Sequence, residues 1–253
     1  MSIVALQVRE DYALIAGDGV CTDPETGAVA GYMSKITAMP DLDCAIAITG
    51  VGGFNHALQW NMPCWVKDFD GFIEALPDLA RLTHEKLCRD NMIRGDDNRA
   101  NLMAAGWSIE EQRYKAVRVV SYEKGTTNSE TGDTAVLAPF VAHEFTSGGM
   151  WMSSAPKENN MKLFGLTEAI DGESDVDSIT RAICAGRASS GMVLDGERSY
   201  HYNAGGYVQI ALIQRGHINT WITHRWPEDI IGFPVRPEFG SPLPPHLKLI
   251  SSE

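Results

Sequence analysis

The stretch SIVALQVREDYALIAGDGVCT, Ser2 to Thr22, decides the reading of the chain. Ser2 to Val8 is apolar and rich in β-formers, Tyr12 to Ala16 is a second apolar run, and Arg9-Glu10-Asp11 supplies turn chemistry between them. This pattern predicts a β-hairpin, with Asp18-Gly19 closing its second strand. A loop of turn formers follows, TDPETGAVAGY. Lys35 to Met39 and Cys44 to Thr49 read as short strands about Pro40-Asp41, and Gly50, Gly52 and Gly53 mark a sharp turn into helical pattern.

Beyond this front end, Phe54 to Trp60 and Asp68 to Asp90 carry helical spacing. In the second, Phe72, Ala75, Leu76, Leu79, Ala80, Leu82, Thr83 and Leu87 fall largely on one face, and Pro77 predicts a kink or restart. Leu102 to Trp107 and Arg113 to Tyr122 read as strands, Glu123 to Thr134 as a polar turn, and Ala135 to Ser147 carries only weak pattern. Asp175 to Ala188 reads as a helix capped at Ser174 or Asp175. Tyr207 to Ile213 and His217 to Thr223 form a closing hairpin. The last 28 residues, from Trp226, hold six prolines and suit neither regular helix nor sheet. Trp226, Ile230, Ile231, Phe233 and Leu247 are costly to leave in water, which favours an ordered arm laid over a neighbouring subunit. The expected division is therefore a domain over 1–225 and a Pro-rich extension over 226–253. Blocks of strands separated by helices predict antiparallel sheets covered by helices, an α+β class.

The chain has 253 residues, 44% hydrophobic and 21% charged, ordinary for a self-sufficient core. A net charge of −12 repels phosphate backbones and anionic lipid heads, which argues against nucleic acid and membrane partners. Cys21, Cys44, Cys64, Cys88 and Cys184 are too widely spaced for a zinc ribbon or redox pair, and reduced thiols suit a cytoplasmic setting. MSIVALQVREDY reads as a strand, not a signal peptide, and no stretch reaches the roughly 20 apolar residues of a membrane span. His143-Glu144 lacks the spacing of a zinc motif, and Asp171 to Asp177 lacks the calcium-loop pattern. No cofactor fingerprint is present in the sequence.

The front segment, followed by SKI and then AIAITGVGG, resembles the proteasome β-subunit family of N-terminal-nucleophile (Ntn) hydrolases, nearest in motif to the bacterial HslV-type peptidase. Ser2, Asp18, Lys35 and Gly50 stand where that family carries its nucleophile, a supporting Asp, a Lys and an oxyanion-binding Gly. NLMAAGW, RVVSYEKG, FTSGG and YVQIALIQRGHI extend the likeness more weakly, and Ser147 in TSGG matches the serine that bonds the α-amino group. The resemblance implies a four-layer αββα sandwich of two antiparallel sheets flanked by helices. It also implies a peptide or amide substrate and a homo-oligomer, and it leaves open whether an ATPase is a partner. One departure stands out. Where the family carries a late Asp and then Ser-Gly-Gly, this chain reads RSYHYNAGGYV, with Ala204 at the Ser position, His201 or Asn203 near the Asp, and Asp195 as a more distant candidate.

The chemistry follows from the residue types. Removal of Met1 leaves Ser2 with a nucleophilic hydroxyl and an α-amino base of ordinary pKa about 7.7–8.0 on one residue. On that resemblance the charge of Lys35 would lower the amine's proton affinity, Asp18 would hold the Lys35 ammonium, and the Gly50 N–H would face the developing oxyanion. The missing late Asp and Ser support an alternative, a catalytically inactive assembly or scaffold subunit that keeps the fold.

Overall fold

A computed structural model describes residues 2–23, 26–90, 99–127, 134–145, 148–168, 170–189, 191–193, 200–202, 204–237 and 241–250. The strands and helices in order are β1 (Val4–Val8), β2 (Ala13–Asp18), β3 (Val20–Thr22), β4 (Val29–Tyr32), β5 (Ile36–Met39), β6 (Cys44–Thr49), α1 (Phe54–Trp60), α2 (Phe69–Arg89), β7 (Asn101–Ser108) and β8 (Arg113–Val120). There follow β9 (Lys124–Thr127), β10 (Thr134–Leu137), β11 (His143–Glu144), β12 (Met150–Met152), α3 (Glu158–Leu163), α4 (Asp175–Ser189), β13 (Gly191–Val193), β14 (Tyr200–Tyr202), β15 (Tyr207–Gln214) and β16 (His217–Arg225).

One five-stranded antiparallel sheet runs β12-β1-β2-β15-β16 and a second runs β11-β8-β7-β6-β5. Side chains alternate across a strand, so β1 sends Val4, Leu6 and Val8 to one face and Ala5 to the other. The first set meets Ala45, Ala47, Met103, Ala105 and Ala116 of the second sheet. These small residues let the sheets approach closely. Ala5, with Leu14 and Ala16 of β2, packs instead against Ile179 and Ile183 of α4. Both faces of β1 and β2 are buried, which explains why Ser2 to Thr22 reads as apolar runs and not as strict alternation.

The outer face of the second sheet takes α1 and α2, through Phe54, Leu58, Phe69, Phe72, Leu76 and Leu79. Pro77 does not break α2, which runs unbroken from Phe69 to Arg89. Burial of that apolar face, about 1.5–3 kcal/mol per large side chain, outweighs the roughly 3 kcal/mol that an internal proline costs. Leu82, expected on the buried face, is exposed. The expected polar turn over Glu123 to Thr134 contains β9 and the start of β10, which pair antiparallel.

The expected four-layer αββα sandwich needs correction. Among the described residues the strands divide over five antiparallel sheets, three of them two-stranded, and there are four helices, of which α1 and α3 have seven and six residues. The outer face of the first sheet is closed by α4 together with the C-terminal arm: Trp226 and Leu243 belong to the same buried cluster as Ile179 and Ile183. The architecture is sheet-dominated α+β, because proline-rich chain does part of the covering that a helical layer would do.

The arm also meets the β3–β4 hairpin. Val29 N–H donates to Phe233 O at 2.9 Å, and Gly232 N–H donates to Val29 O at 2.8 Å. Trp226 is buried within its own chain, whereas Ile230, Ile231 and Phe233 stay exposed. No helix among the described residues is long and apolar enough to cross a membrane.

Candidate active site

The β1–β2 hairpin places the first residues of the chain against the end of β2. Asp18 N–H donates to Ile3 O at 3.2 Å, and Ile3 N–H returns a bond to Asp18 Oδ1 at 2.8 Å. Ser2, half-buried, is thereby held one residue from the Asp18 carboxylate. Lys35 immediately precedes β5, and its carbonyl accepts from Ile48 N–H of β6 at 3.2 Å. That position sends its side chain down to Asp18, where Nζ meets Oδ2 at 2.6 Å. The pair lies almost wholly out of water, with Asp18 1% and Lys35 7% exposed. A buried carboxylate needs hydrogen bonds besides its cation, and here backbone N–H groups of Gly205 at 3.1 Å and Val20 at 3.4 Å also donate to Oδ2.

Gly50 ends β6 with φ +99°, and a Cβ there would overlap the carbonyl oxygen of Arg99, so glycine is required on two counts. The turn then runs through Gly53, also left-handed, into α1. Ser2, Cys21, Ser34, Lys35, Gly50 and Asn55 line one cleft of about 340 Å³ including its open mouth. Four sequence-selected residues, Ser2, Asp18, Lys35 and Gly50, are thus brought to one place, three in the cleft wall and Asp18 behind Lys35. Burial pushes the Cys21 thiol above its ordinary value, and the nearby Lys35 charge only partly offsets this.

Ser147 lies outside the described residues. The serine that the structure places beside Ser2 is Ser153. Its hydroxyl accepts from Val4 N–H at 2.9 Å and donates to Ser2 O at 3.5 Å. β12 pairs with β1 in the register Ala5↔Met152, which delivers the next residue, Ser153, to the start of β1. MWMSSAP carries no local signal for this, since only the register creates the contact.

The late segment too falls only partly within the described residues. Asp195 and Asn203 lie outside the described residues, as does the His201 side chain; Ala204 is fully buried and offers no hydroxyl. The adjoining turn acts through its backbone: Gly205 N–H reaches Asp18, and Gly206 N–H donates to Asp229 Oδ2 at 2.6 Å. Asp229 of the arm is buried and forked by Arg187 of α4, with Nη2 at 3.0 Å from Oδ1 and Nη1 on Oδ2. The Arg187 guanidinium also stacks over Trp226, 4.4 Å from the ring centroid. Sequence reading missed Arg187 and Asp229. Their pairing spans α4 and the proline-rich arm, and no motif links the two.

The comparisons bear on the fold. No family model matches the chain, and no curated protein matches it. Among solved structures it is similar to Anbu (ancestral beta-subunit) from Yersinia bercovieri, with a TM-score of 0.50, 10% identity, and coverage of 90% of this chain and 89% of that one. The expected placement nearest the HslV-type peptidase, within the proteasome β-subunit family, is corrected by these findings: no family model matches the chain, and what is shared is fold. The likeness to the ancestral β-subunit, at this identity, is a proteasome-like relation of fold.

Proposed function

We propose that the chain is an amidase or peptidase that uses Ser2, exposed by removal of Met1, as an N-terminal nucleophile. The observation that carries this reading is the buried Lys35–Asp18 pair at 2.6 Å in the cleft wall beside Ser2. A buried ion pair is a costly way to stabilise a fold, and its position next to a hydroxyl at the start of the chain favours a chemical use. In the proposed reaction the α-amino group of Ser2 takes the hydroxyl proton as Oγ attacks the substrate carbonyl. The oxyanion is met by the Gly50 N–H, and Lys35 supplies positive charge to the same region. The α-ammonium then gives its proton to the departing amine, leaving an ester on Ser2. Water, deprotonated by the same amine, releases the acid and restores the site.

Intact-mass measurement of the purified protein, followed by treatment with a β-lactone or epoxyketone, tests this. A Met-free chain carrying one adduct on Ser2 is expected. Quantitative retention of Met1, or no adduct on Met-free protein, overturns the reading.

A second reading, a non-catalytic assembly subunit, is favoured by one observation: Ala204 is buried where a supporting hydroxyl is expected. In that case Ser2→Ala leaves every measurable activity unchanged. Under either reading we infer that copies associate, supported by the exposed Ile230, Ile231 and Phe233 on the arm and Trp60 and Trp65 near α1. Sedimentation as a 27.7 kDa monomer at micromolar concentration is the contrary result.

A further inference from the structure

Four cationic side chains are buried among the described residues: Lys35, Arg118, Arg181 and Arg187. Three of them hold carboxylates, Lys35 with Asp18, Arg181 with Glu173 and Arg187 with Asp229. Arg118 does not. It is 2% exposed, and among the described residues its acceptors are neutral: Asn101 Oδ1 at 2.7 Å and Ser153 O at 3.3 Å. A second cation converges on the same carbonyl, since Lys124 Nζ donates to Ser153 O at 2.6 Å. Two cations therefore share one neutral oxygen in a chain whose net charge is −12 and whose carboxylates are plentiful. A buried charge without an opposite partner is strongly unfavourable, so buried Arg118 beside half-buried Lys124 makes a pair of cations suited to hold an anion.

The place of this cluster says what the anion belongs to. Ser153, which receives both cations on its carbonyl, touches Ser2 O with its hydroxyl. At the other end, Asn101 Nδ2 donates to Thr49 Oγ1 at 3.4 Å, and Thr49 directly precedes Gly50. The row Thr49–Asn101–Arg118–Ser153 thus runs from the oxyanion glycine to the nucleophile along the inner face of the second sheet. Lys124, only half-buried, stands beside Ser153 at that end of the row.

We propose that Arg118 and Lys124 form a carboxylate-binding site beside Ser2, so that the substrate is an amide whose acyl part carries a carboxylate. This rests on the Ser2 reading above for the word substrate, but the binding site itself does not. Arg118 supplies a planar fork suited to a carboxylate, and Lys124 a point charge at the mouth. Burial and the Arg118 charge together pull the Lys124 pKa down to about 8, and Tyr122 is the other titratable group facing Arg118. An arriving carboxylate raises the Lys124 value again, so binding near pH 8 draws a proton from solution.

The experiment is calorimetric titration of full-length Ser2→Ala protein at pH 8 in Tris and in HEPES. Three probes are used: N-acetylglutamate α-amide, with a side-chain carboxylate only; N-acetylglutamine, with an α-carboxylate only; and neutral N-acetylglutamine amide. At least one acid is expected to bind ten-fold or more tightly than the neutral diamide, with a heat that depends on the buffer through proton uptake. Whichever acid binds identifies the source of the carboxylate. Lys124→Met is expected to weaken that binding ten-fold or more and to abolish the buffer dependence. The variant removes a half-buried charge and keeps the fold, so Arg118 need not be disturbed. Equal binding of acids and diamide, absence of binding, or an unchanged Lys124→Met overturns the proposal. If the acids bind while no β-lactone adduct forms on Ser2 of Met-free wild type, the nucleophile reading fails and the carboxylate site stands.

Discussion

Lys35 and Lys124 both lose water on folding, but among the described residues only Lys35 of the two gains a carboxylate. The two therefore respond to removal with opposite signs. Lys35→Met leaves Asp18 buried with backbone donors and no cation, and should cost about 3–5 kcal/mol in urea unfolding at pH 7. Lys124→Met removes a half-buried charge that no described carboxylate balances, and should stabilise by about 1–2 kcal/mol at the same pH. The pH dependence follows from linkage. Lys124 falls from 10.5 to about 8 on folding, so between these values the unfolded chain binds more protons. Its unfavourable contribution is full below pH 8 and fades as pH rises towards 10.5. The gain from Lys124→Met should shrink over that window, and unfolding midpoints at pH 7 and pH 10 check it. Asp18 and Lys35 were legible as a pair through the family resemblance of the front segment, in which they stand 17 residues apart at strand ends. Ser153 was not, because its bond to Val4 spans 149 residues.

At the scale of elements, the arm, α4 and the β15 entrance meet at Asp229. That carboxylate joins Arg187 of α4 to Gly206, and the neighbouring Gly205 hands its N–H to Asp18. Through the backbone of this turn the arm is thus linked, as a latch, to the Asp18 carboxylate. Asp229→Ala takes from buried Arg187 its bidentate carboxylate and leaves it Glu228 at 3.3 Å, and should destabilise by about 2–4 kcal/mol, read by chemical unfolding. Gly205→Ala acts on the same junction by a different route, since its Cβ would overlap Asp229 Oδ2 and crowd Arg187. If the latch positions Asp18, labelling of Ser2 by the β-lactone should slow at least ten-fold in Gly205→Ala under conditions where circular dichroism still reports the native fold. An unchanged labelling rate would reduce the turn to a packing role.

For the molecule as a whole, the arm decides how the first sheet is closed. We propose that residues 226–253 are a working part of the unit formed by 1–225. Trp226 is buried between Arg187 and His224, and Leu243 joins the same core. Trp226→Ala should cost about 3–5 kcal/mol, a loss visible as a lowered thermal midpoint. A chain ending at Arg225 should expose that core and associate nonspecifically, which light scattering would report.

The amino-acid order by itself determined the elements whose information is local. The two apolar runs of Ser2 to Thr22, the strands ending at Gly50, and the helical face of α2 all follow from side-chain period and turn chemistry. It also set Ser2, Asp18, Lys35 and Gly50 at or beside strand ends, and the resemblance of that segment to the proteasome β-subunit family is what made a common site an expectation. Only the tertiary structure decided what closes the sheets and what surrounds those residues. Asp18 receives Gly205 across 187 residues, and the Arg118–Lys124 cluster meets Ser153 through the register of β12 on β1. Such contacts depend on sheet packing and burial, which no window of sequence contains. For that reason the front of the site could be read from Ser2 to Gly53, and its far wall could not.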